Sequence, residues 1–255
     1  MSPVADTGSA PELGHRPLTP EEVGHLHDRG FLAIEHFSWP ADLARIREIL
    51  LGLYARFHRL PPRYTLDLGD VARHAGAPQI AEINWTLELA PALRQTRTFC
   101  RCASVAEQLL GCPGRHTGYD HAILKPPHNA RSTPWHQDQA YAGEGRSLVS
   151  VHFWIPLQDV TIDMGCMQFI PGSHRGPLLP HRRRDGSHSL GAVGVDSSLA
   201  VACPLPLGGA TVHLPRTLHH TGPNTTDEPR LAWSIEFAPR LKGRPAWRSF
   251  LRRRA

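Results

Sequence analysis

A histidine and an aspartate two residues apart form the first pattern in this chain that could do chemistry. They are His136 and Asp138 in the segment PWHQD (134–138). In an extended segment, residues i and i+2 point to the same face, so the imidazole and the carboxylate would lie side by side. These are two of the three ligands in the 2-His-1-carboxylate triad of non-haem Fe(II) oxygenases. Alone the pattern is weak, because the chain has 17 histidines and a surface turn is the simpler interpretation.

The second pattern reads as strand, turn and strand, and runs from Leu218 to Arg230. Turn residues occupy 222–224. Before the turn, His219 and Thr221 would share one face of the strand. Arg230 would return on the next strand, and its planar guanidinium can bind a carboxylate through two parallel hydrogen bonds. This hairpin could therefore supply a third metal ligand, a hydroxyl group and a carboxylate-binding group.

Two segments between these patterns make a resemblance to a known family specific. They read WIPLQD (154–159) and GCMQFIPGSH (165–174), and a Lys-Pro-Pro segment (125–127) precedes the first pattern. In this order the motifs resemble the phytanoyl-CoA dioxygenase family of Fe(II)- and 2-oxoglutarate-dependent oxygenases, over roughly residues 18 to 240. The resemblance implies a double-stranded β-helix, or jelly roll, with helices packed outside.

The resemblance also implies a set of iron ligands. His136 and Asp138 match the family's His-x-Asp pair. In the family, the third ligand precedes the Asn of the Gly-Pro-Asn turn by five positions and an arginine by eleven. His219 meets both spacings, the second to Arg230, whereas the neighbouring His220 misses both. We therefore expect His219, rather than His220, to be the third ligand.

A cosubstrate site and a reaction follow from the same resemblance. Arg230 and Thr221 match the residues that bind a carboxylate of 2-oxoglutarate, and Trp154 matches a tryptophan that lines the pocket. The implied reaction consumes O2 and 2-oxoglutarate, releases succinate and CO2, and hydroxylates a small-molecule metabolite or natural-product intermediate. Related halogenases lack the carboxylate ligand, so Asp138 favours hydroxylation, or a variant such as desaturation, epoxidation or ring closure. A cupin-like metalloenzyme without 2-oxoglutarate and a non-catalytic metabolite-binding protein are the alternatives.

Weaker evidence concerns four more residues, His152, His174, Cys166 and Tyr141. His152 would share a strand face with Trp154 and could line the pocket, although packing is the simpler interpretation. His174 follows a Pro-Gly-Ser turn and is expected to be structural, and Cys166 is expected in the core. Tyr141 follows the His-x-Asp pair closely enough to contact substrate. Spacing alone favours no role for His121, His128, His181, His188 or His213.

These residues need a scaffold, and the hydrophobic pattern predicts helices followed by strands. Thr19, Pro20 and Glu22 form a capping box that begins a helix, and Gly30 ends it before a strand at 31–34. A second helix is predicted from Pro40 and a third over roughly 89–111. Short apolar runs bounded by turn residues then predict strands at 117–124, 147–157, 166–170, 199–203, 210–214 and 231–238. We therefore expect a mainly β fold with flanking helices and a cupin-like, double-stranded β-helix core.

Composition limits the class of protein further. The chain has 255 residues, 40% hydrophobic and 20% charged, which is enough for a well-packed core. We expect a flexible tail at 1–17, one dioxygenase domain at 18–240 and a basic tail at 241–255. No run of 18 apolar residues predicts a membrane span, and no secretory signal is readable. Five irregularly spaced cysteines favour reduced thiols and a cytoplasmic protein.

Basic residues cluster in one internal segment, between Arg175 and Gly194, which includes HRRR (181–184). Two interpretations are open: a lid that attracts an anionic small-molecule substrate, or a solvated charged run. The net charge of +5 alone does not favour nucleic-acid binding, because the basic residues are not interleaved with aromatic ones. The sequence does not predict an oligomeric state.

Overall fold

The structure is a computed structural model that describes residues 16–68, 79–112, 116–142, 148–183 and 189–239. The helices within these ranges are α1 (Pro20–Arg29), α2 (Pro40–Tyr54), α3 (Thr86–Leu89) and α4 (Arg97–Leu110). None of these helices is long and apolar enough to cross a membrane. Residues 1–15 and 240–255, and with them most of both predicted tails, lie outside the described residues.

The strands in the described ranges are short, with two exceptions near the site. They are β1 (Phe31–Ile34), β2 (Thr65–Asp67), β3 (Ala81–Asn84), β4 (His116–Lys125), β5 (Thr133–His136), β6 (Val151–Pro156), β7 (Met167–Phe169), β8 (His181–Arg183), β9 (Leu190–Ala192), β10 (Val201–Cys203), β11 (Ala210–His213), β12 (His219–Thr221) and β13 (Arg230–Ala238). Each strand that the apolar runs predict is present. The pattern did not predict β2, β3, β8 and β9, which are only three or four residues long.

The predicted first helix is confirmed in detail. The Thr19 side chain accepts a hydrogen bond from the Glu22 amide, and the Glu22 carboxylate accepts one from the Thr19 amide. The left-handed Gly30 ends the helix at φ 84°. The third predicted helix is wrong as one piece, because α3 and α4 are separated by a 3-10 turn at Pro91–Gln95. Proline has no N–H and its ring clashes with the preceding turn, so it interrupts a helix here.

The strands form two facing sheets and a small ribbon. The larger sheet has the order β1-β11-β6-β13-β4-β3-β2, and the smaller has the order β10-β7-β12-β5. A two-stranded ribbon joins β8 and β9. All pairs with a given register are antiparallel. The site residues predicted from sequence therefore divide between the two sheets, with β12 and β5 in one and β6 and β13 in the other.

Side chains alternate between the two faces of the larger sheet. Phe153, Ile155, Trp233 and Ile235 point outward into a core that they share with the helices. The inward side chains meet the smaller sheet, where Phe31, Trp154 and Ala232 pack with residues of β7 and β10. Phe31 stacks on Phe169 with ring centroids 4.5 Å apart. The helices thus cover the outer face, and the inner face is left for the site.

A close backbone contact holds the turn before β7 against the turn after β12. Gly165 has φ +75°, and a Cβ there would lie 2.5 Å from the Gly222 carbonyl oxygen. Gly194 has a similar φ of +78°, and among the described residues no neighbouring atom lies within 4 Å of such a Cβ. Comparing alanine variants of Gly165 and Gly194 therefore separates the free-energy cost of left-handed backbone from that of a steric clash.

Alanine at Gly165 is expected to destabilise the protein more than alanine at Gly194. Left-handed backbone should lower the free energy of unfolding by about 1–2 kcal/mol in both variants. Gly165→Ala should lose a further ~1–3 kcal/mol, because the turns must move apart. Urea unfolding of the two variants and the wild type measures this. Equal losses at both positions would show that the close contact adds nothing to stability.

Candidate active site

Two histidines from neighbouring strands face each other at the centre of the site. His136 of β5 lies directly opposite His219 of β12, with ring centroids 4.1 Å apart. Each ring donates a hydrogen bond from Nδ1 to the carbonyl two residues earlier, at 2.9 Å, on Pro134 and Thr217 respectively. An imidazole held at Nδ1 in this way presents Nε2 as a metal ligand.

Asp138 completes a three-residue cluster with these histidines. Its Oδ1 lies 3.5 Å from His136 Nε2 and 3.7 Å from His219 Nε2. The ligand atoms of the three residues all lie within 4.8 Å of one another, a spacing that suits one metal ion. The sequence placed Asp138 in an extended segment, but the strand ends at His136 and Asp138 begins a 3-10 turn. The two side chains meet nevertheless, because the turn stays close to the strand end.

Charge and burial favour the metal-binding protonation states. Burial alone would raise the pKa of Asp138, but the surrounding histidines, first His152 and His219 and then His136 and His213, hold it well below its usual value. Burial and the neighbouring His136 lower the pKa of His219 well below the usual value. The aspartate is therefore ionised and His219 is neutral near pH 7, and these are the states in which both bind metals.

Two further histidines contact Asp138 from the larger sheet. His213 Nε2 lies 3.1 Å and His152 Nδ1 lies 3.2 Å from Asp138 Oδ2. Burial lowers the pKa of His152 to about 4, so its ring is neutral near pH 7. Sequence reasoning gave His213 no role and favoured packing for His152. The only local signal was that His152 shares a strand face with Trp154.

Arg230 lies on the inner face of β13 and is 1% exposed. Its Nε, Nη1 and Nη2 atoms have no hydrogen-bond acceptor among the described residues. Its guanidinium lies 5.5 Å from the centre of the Trp154 ring. Burial lowers its pKa to about 10, which still leaves it charged at pH 7. A buried cation without an acceptor fits an anionic ligand such as a carboxylate.

Lys125 is a second buried basic residue, and it lies between Arg230 and Thr221. Burial and the neighbouring Arg230 lower the pKa of Lys125 well below its usual value. Lys125 lies directly opposite Arg230 across the β4–β13 pair. Its Nζ donates to Thr221 Oγ1 at 2.9 Å and to the Gly222 carbonyl. Because the Thr221 oxygen accepts this bond, its own O–H can donate to a ligand. Sequence reasoning noted Lys125 only as part of a family motif and assigned it no role.

The remaining candidates divide as follows. His220 lies on the other face of β12 and stacks on Trp135, with ring centroids 4.4 Å apart. His174 Nε2 donates to the His27 carbonyl at 2.9 Å, as a structural residue would. Cys166 is fully buried in the core. The Tyr141 ring meets the His136 ring edge-on, with ring centroids 6.0 Å apart, so it lies beside the three-residue cluster.

The basic segment packs beside the same cluster. Its strands β8 and β9 form the ribbon, although residues 184–188 lie outside the described residues. The backbone N–H of Gln137 donates to His181 Nε2 at 3.1 Å, and the backbone N–H of Leu190 donates to the Tyr141 hydroxyl at 3.1 Å. The ribbon therefore contacts the residues on either side of Asp138, and its function as a lid stays a prediction.

Comparison with known proteins establishes the class. The model of the family described as "Phytanoyl-CoA dioxygenase (PhyH)" matches residues 26–232, which is most of the chain. The chain belongs to the phytanoyl-CoA dioxygenase family. It is a non-haem iron- and 2-oxoglutarate-dependent oxygenase.

Relatives of this phytanoyl-CoA dioxygenase family member agree with the assignment. A probable phytanoyl-CoA dioxygenase of Caenorhabditis elegans is 27% identical over 236 residues, 87% of this chain and 75% of the relative. An L-proline trans-4-hydroxylase of Streptomyces griseoviridis is 29% identical over 175 residues, 67% of this chain and 60% of the relative. EvdO2 from Micromonospora carbonacea var. aurantiaca, solved with 2-oxoglutarate, is 32% identical with a TM-score of 0.75, covering 92% of this chain and 97% of EvdO2. This likeness confirms the predicted mainly β, double-stranded β-helix fold.

Proposed function

We propose that this protein uses Fe(II), 2-oxoglutarate and O2 to hydroxylate a small-molecule metabolite or natural-product intermediate, with release of succinate and CO2. The proposed iron ligands are His136, Asp138 and His219. The proposed 2-oxoglutarate-binding residues are Arg230, Thr221 and Trp154.

One continuous set of contacts supports this proposal. His219 faces His136 and Asp138, and Thr221 follows two residues later on the same strand. Thr221 contacts Lys125, which lies opposite Arg230. The three-residue strand β12 thus carries one residue of the metal-binding cluster and, two positions later, Thr221. Through Lys125, Thr221 is linked to the buried, unpaired guanidinium of Arg230. This arrangement suits a cosubstrate with a metal-binding end and a distal carboxylate.

Each residue has a physical task in this proposal. The histidines present Nε2 because their Nδ1 atoms are bonded to backbone carbonyls, and Asp138 supplies the negative charge that a divalent cation needs. Arg230 and the Thr221 hydroxyl donate to the distal carboxylate, while the Trp154 ring packs against the guanidinium and excludes water. When bound, Fe(II) with 2-oxoglutarate and O2 supplies the oxidant, and the protein supplies orientation.

The finer features of the proposal concern the substrate, the domain and the compartment. An anionic substrate is favoured by the exposed basic side chains of the β8–β9 ribbon, next to the cluster. A small substrate is supported by the proline hydroxylase relative.

We further propose that residues 18–240 form one catalytic domain. A cytoplasmic location is supported by five cysteines that are all free.

Anaerobic addition of Fe(II) and 2-oxoglutarate to the full chain is expected to give a weak visible charge-transfer band. Admitting O2 should then release succinate slowly, and faster when a panel of metabolites includes the primary substrate. A cupin-like enzyme of another type would give neither signal. A protein that only binds would show the band without succinate. Either result would refute the proposed function.

A further inference from the structure

The two oxygens of Asp138 face two different pairs of histidines. Oδ1 faces His136 and His219, and Oδ2 faces His213 and His152, at 3.1 and 3.2 Å. We propose that His213 and His152 are positioning residues that hold Asp138 through Oδ2, so that Oδ1 is directed at the metal. This inference rests on the proposed function, which makes Asp138 a metal ligand.

The larger sheet fixes both histidines in place. His213 of β11 and His152 of β6 are directly opposite each other in register, and both point to the inner face. Their rings lie 5.2 Å apart with an interplanar angle of 28°. Both strands are paired on each side, β11 with β1 and β6, and β6 with β11 and β13. Two donors on such rigid neighbours can fix a carboxylate that itself sits in a less regular turn.

The contact with Asp138 assigns the proton of His152 to Nδ1 in this proposal, because a carboxylate oxygen only accepts. Ser150 Oγ lies 3.1 Å from His152 Nε2, and the serine hydroxyl can donate to that nitrogen. With Nε2 accepting from Ser150, Nδ1 carries a proton and faces Asp138 Oδ2 at 3.2 Å. Glu236, whose Oε1 lies 3.9 Å from the same Nε2, stands behind the ring. His152 is thus held from behind while it donates to the aspartate.

A second metal ion is the main alternative, because Asp138, His152 and His213 also bring their ligand atoms within 4.8 Å. If His213 bound a metal through Nε2, its proton would sit on Nδ1. That atom is buried and has no hydrogen-bond partner among the described residues. In contrast, His136 and His219 each have a carbonyl that accepts the Nδ1 proton. The surroundings of His213 therefore favour a donor to Asp138 over a ligand.

Substitution by glutamine or asparagine can test the positioning role, because each amide nitrogen can replace one imidazole nitrogen as a hydrogen-bond donor. A glutamine amide nitrogen matches the position of Nε2, and an asparagine amide nitrogen matches Nδ1. Anaerobic Fe(II) titration of the full-length apoprotein is the measurement. His213→Ala and His152→Ala should each lower Fe(II) affinity by about 10–100-fold. His213→Gln and His152→Asn should recover most of that loss, whereas the swapped variants His213→Asn and His152→Gln should not.

His174→Ala is the matched control, since this histidine contacts the His27 carbonyl rather than the cluster, and its Fe(II) affinity should equal that of the wild type. Wild-type affinity in both cluster alanine variants would overturn the inference. So would a wild-type stoichiometry of two ions per chain that falls to one in His213→Ala, or equal affinity of matched and swapped amide variants. Should the alanine variants not fold, the matched-against-swapped comparison still decides. Failure of the wild type to bind Fe(II) would instead refute the proposed function.

Discussion

His219→Ala is expected to abolish succinate formation and to lower Fe(II) affinity by on the order of a hundredfold or more, because it removes one of three proposed ligands. His220→Ala is the matched control. It removes the adjacent ring on the opposite face of β12, where the contact is with Trp135. Anaerobic Fe(II) titration and a succinate assay on both variants make the measurement.

The same assays extend to the other two proposed ligands. His136→Ala and Asp138→Ala should lose turnover as His219→Ala does, because no single remaining pair of ligands holds Fe(II) well. Full activity in His219→Ala, together with its loss in His220→Ala, would show that the adjacent histidine is the ligand. Retained Fe(II) affinity in Asp138→Ala would remove the carboxylate from the proposed triad.

Arg230→Ala is expected to raise the 2-oxoglutarate concentration needed for half-maximal turnover by about ten- to a hundredfold. A hydrogen bond to a charged group contributes roughly 1.5–3 kcal/mol, and about 1.4 kcal/mol corresponds to a tenfold change. Arg230→Lys should restore only part of the loss, because an ammonium group cannot make the paired hydrogen bonds of a guanidinium. Titration of 2-oxoglutarate against succinate formation measures this effect.

Two controls separate the cosubstrate from the metal and from general charge. Fe(II) affinity without 2-oxoglutarate should change little in Arg230→Ala, because the guanidinium is not a proposed ligand. Arg175→Ala removes an exposed arginine paired with Asp28 and should leave the 2-oxoglutarate requirement unchanged. An unchanged requirement in a folded Arg230→Ala protein would remove the main reason to prefer 2-oxoglutarate over another cupin-type reaction.

Features set by neighbouring residues could be predicted from the sequence. The capping box of α1 depends on residues three apart, and the opposite directions of His219 and His220 follow from alternation along a strand. The break in the third helix has a local cause in Pro91, although the apolar spacing around it is typical of one continuous helix. Local patterns therefore explain the predicted helix ends, most strands and the proposed iron ligands.

Features set by the register of distant strands could not be predicted in this way. His213 meets His152 only because β11 pairs with β6 in one register, and Lys125 meets Arg230 only because β4 pairs with β13. A one-residue slip would turn each of these side chains to the other face. The sequence alone contains no short-range signal for such a register. The histidines behind Asp138 and the lysine beside Thr221 therefore became evident only in the folded chain.

The direct pairing of His136 with His219 also constrains the order of events during maturation. These residues belong to strands that are adjacent in space but widely separated in the chain, so they meet only after a long loop has closed. Before that closure, the chain offers at most the local His136–Asp138 pair, which binds a divalent ion weakly. The full set of proposed iron ligands therefore forms only once β5 has paired with β12. An ion bound to all three proposed ligands would join these two strands and oppose their separation.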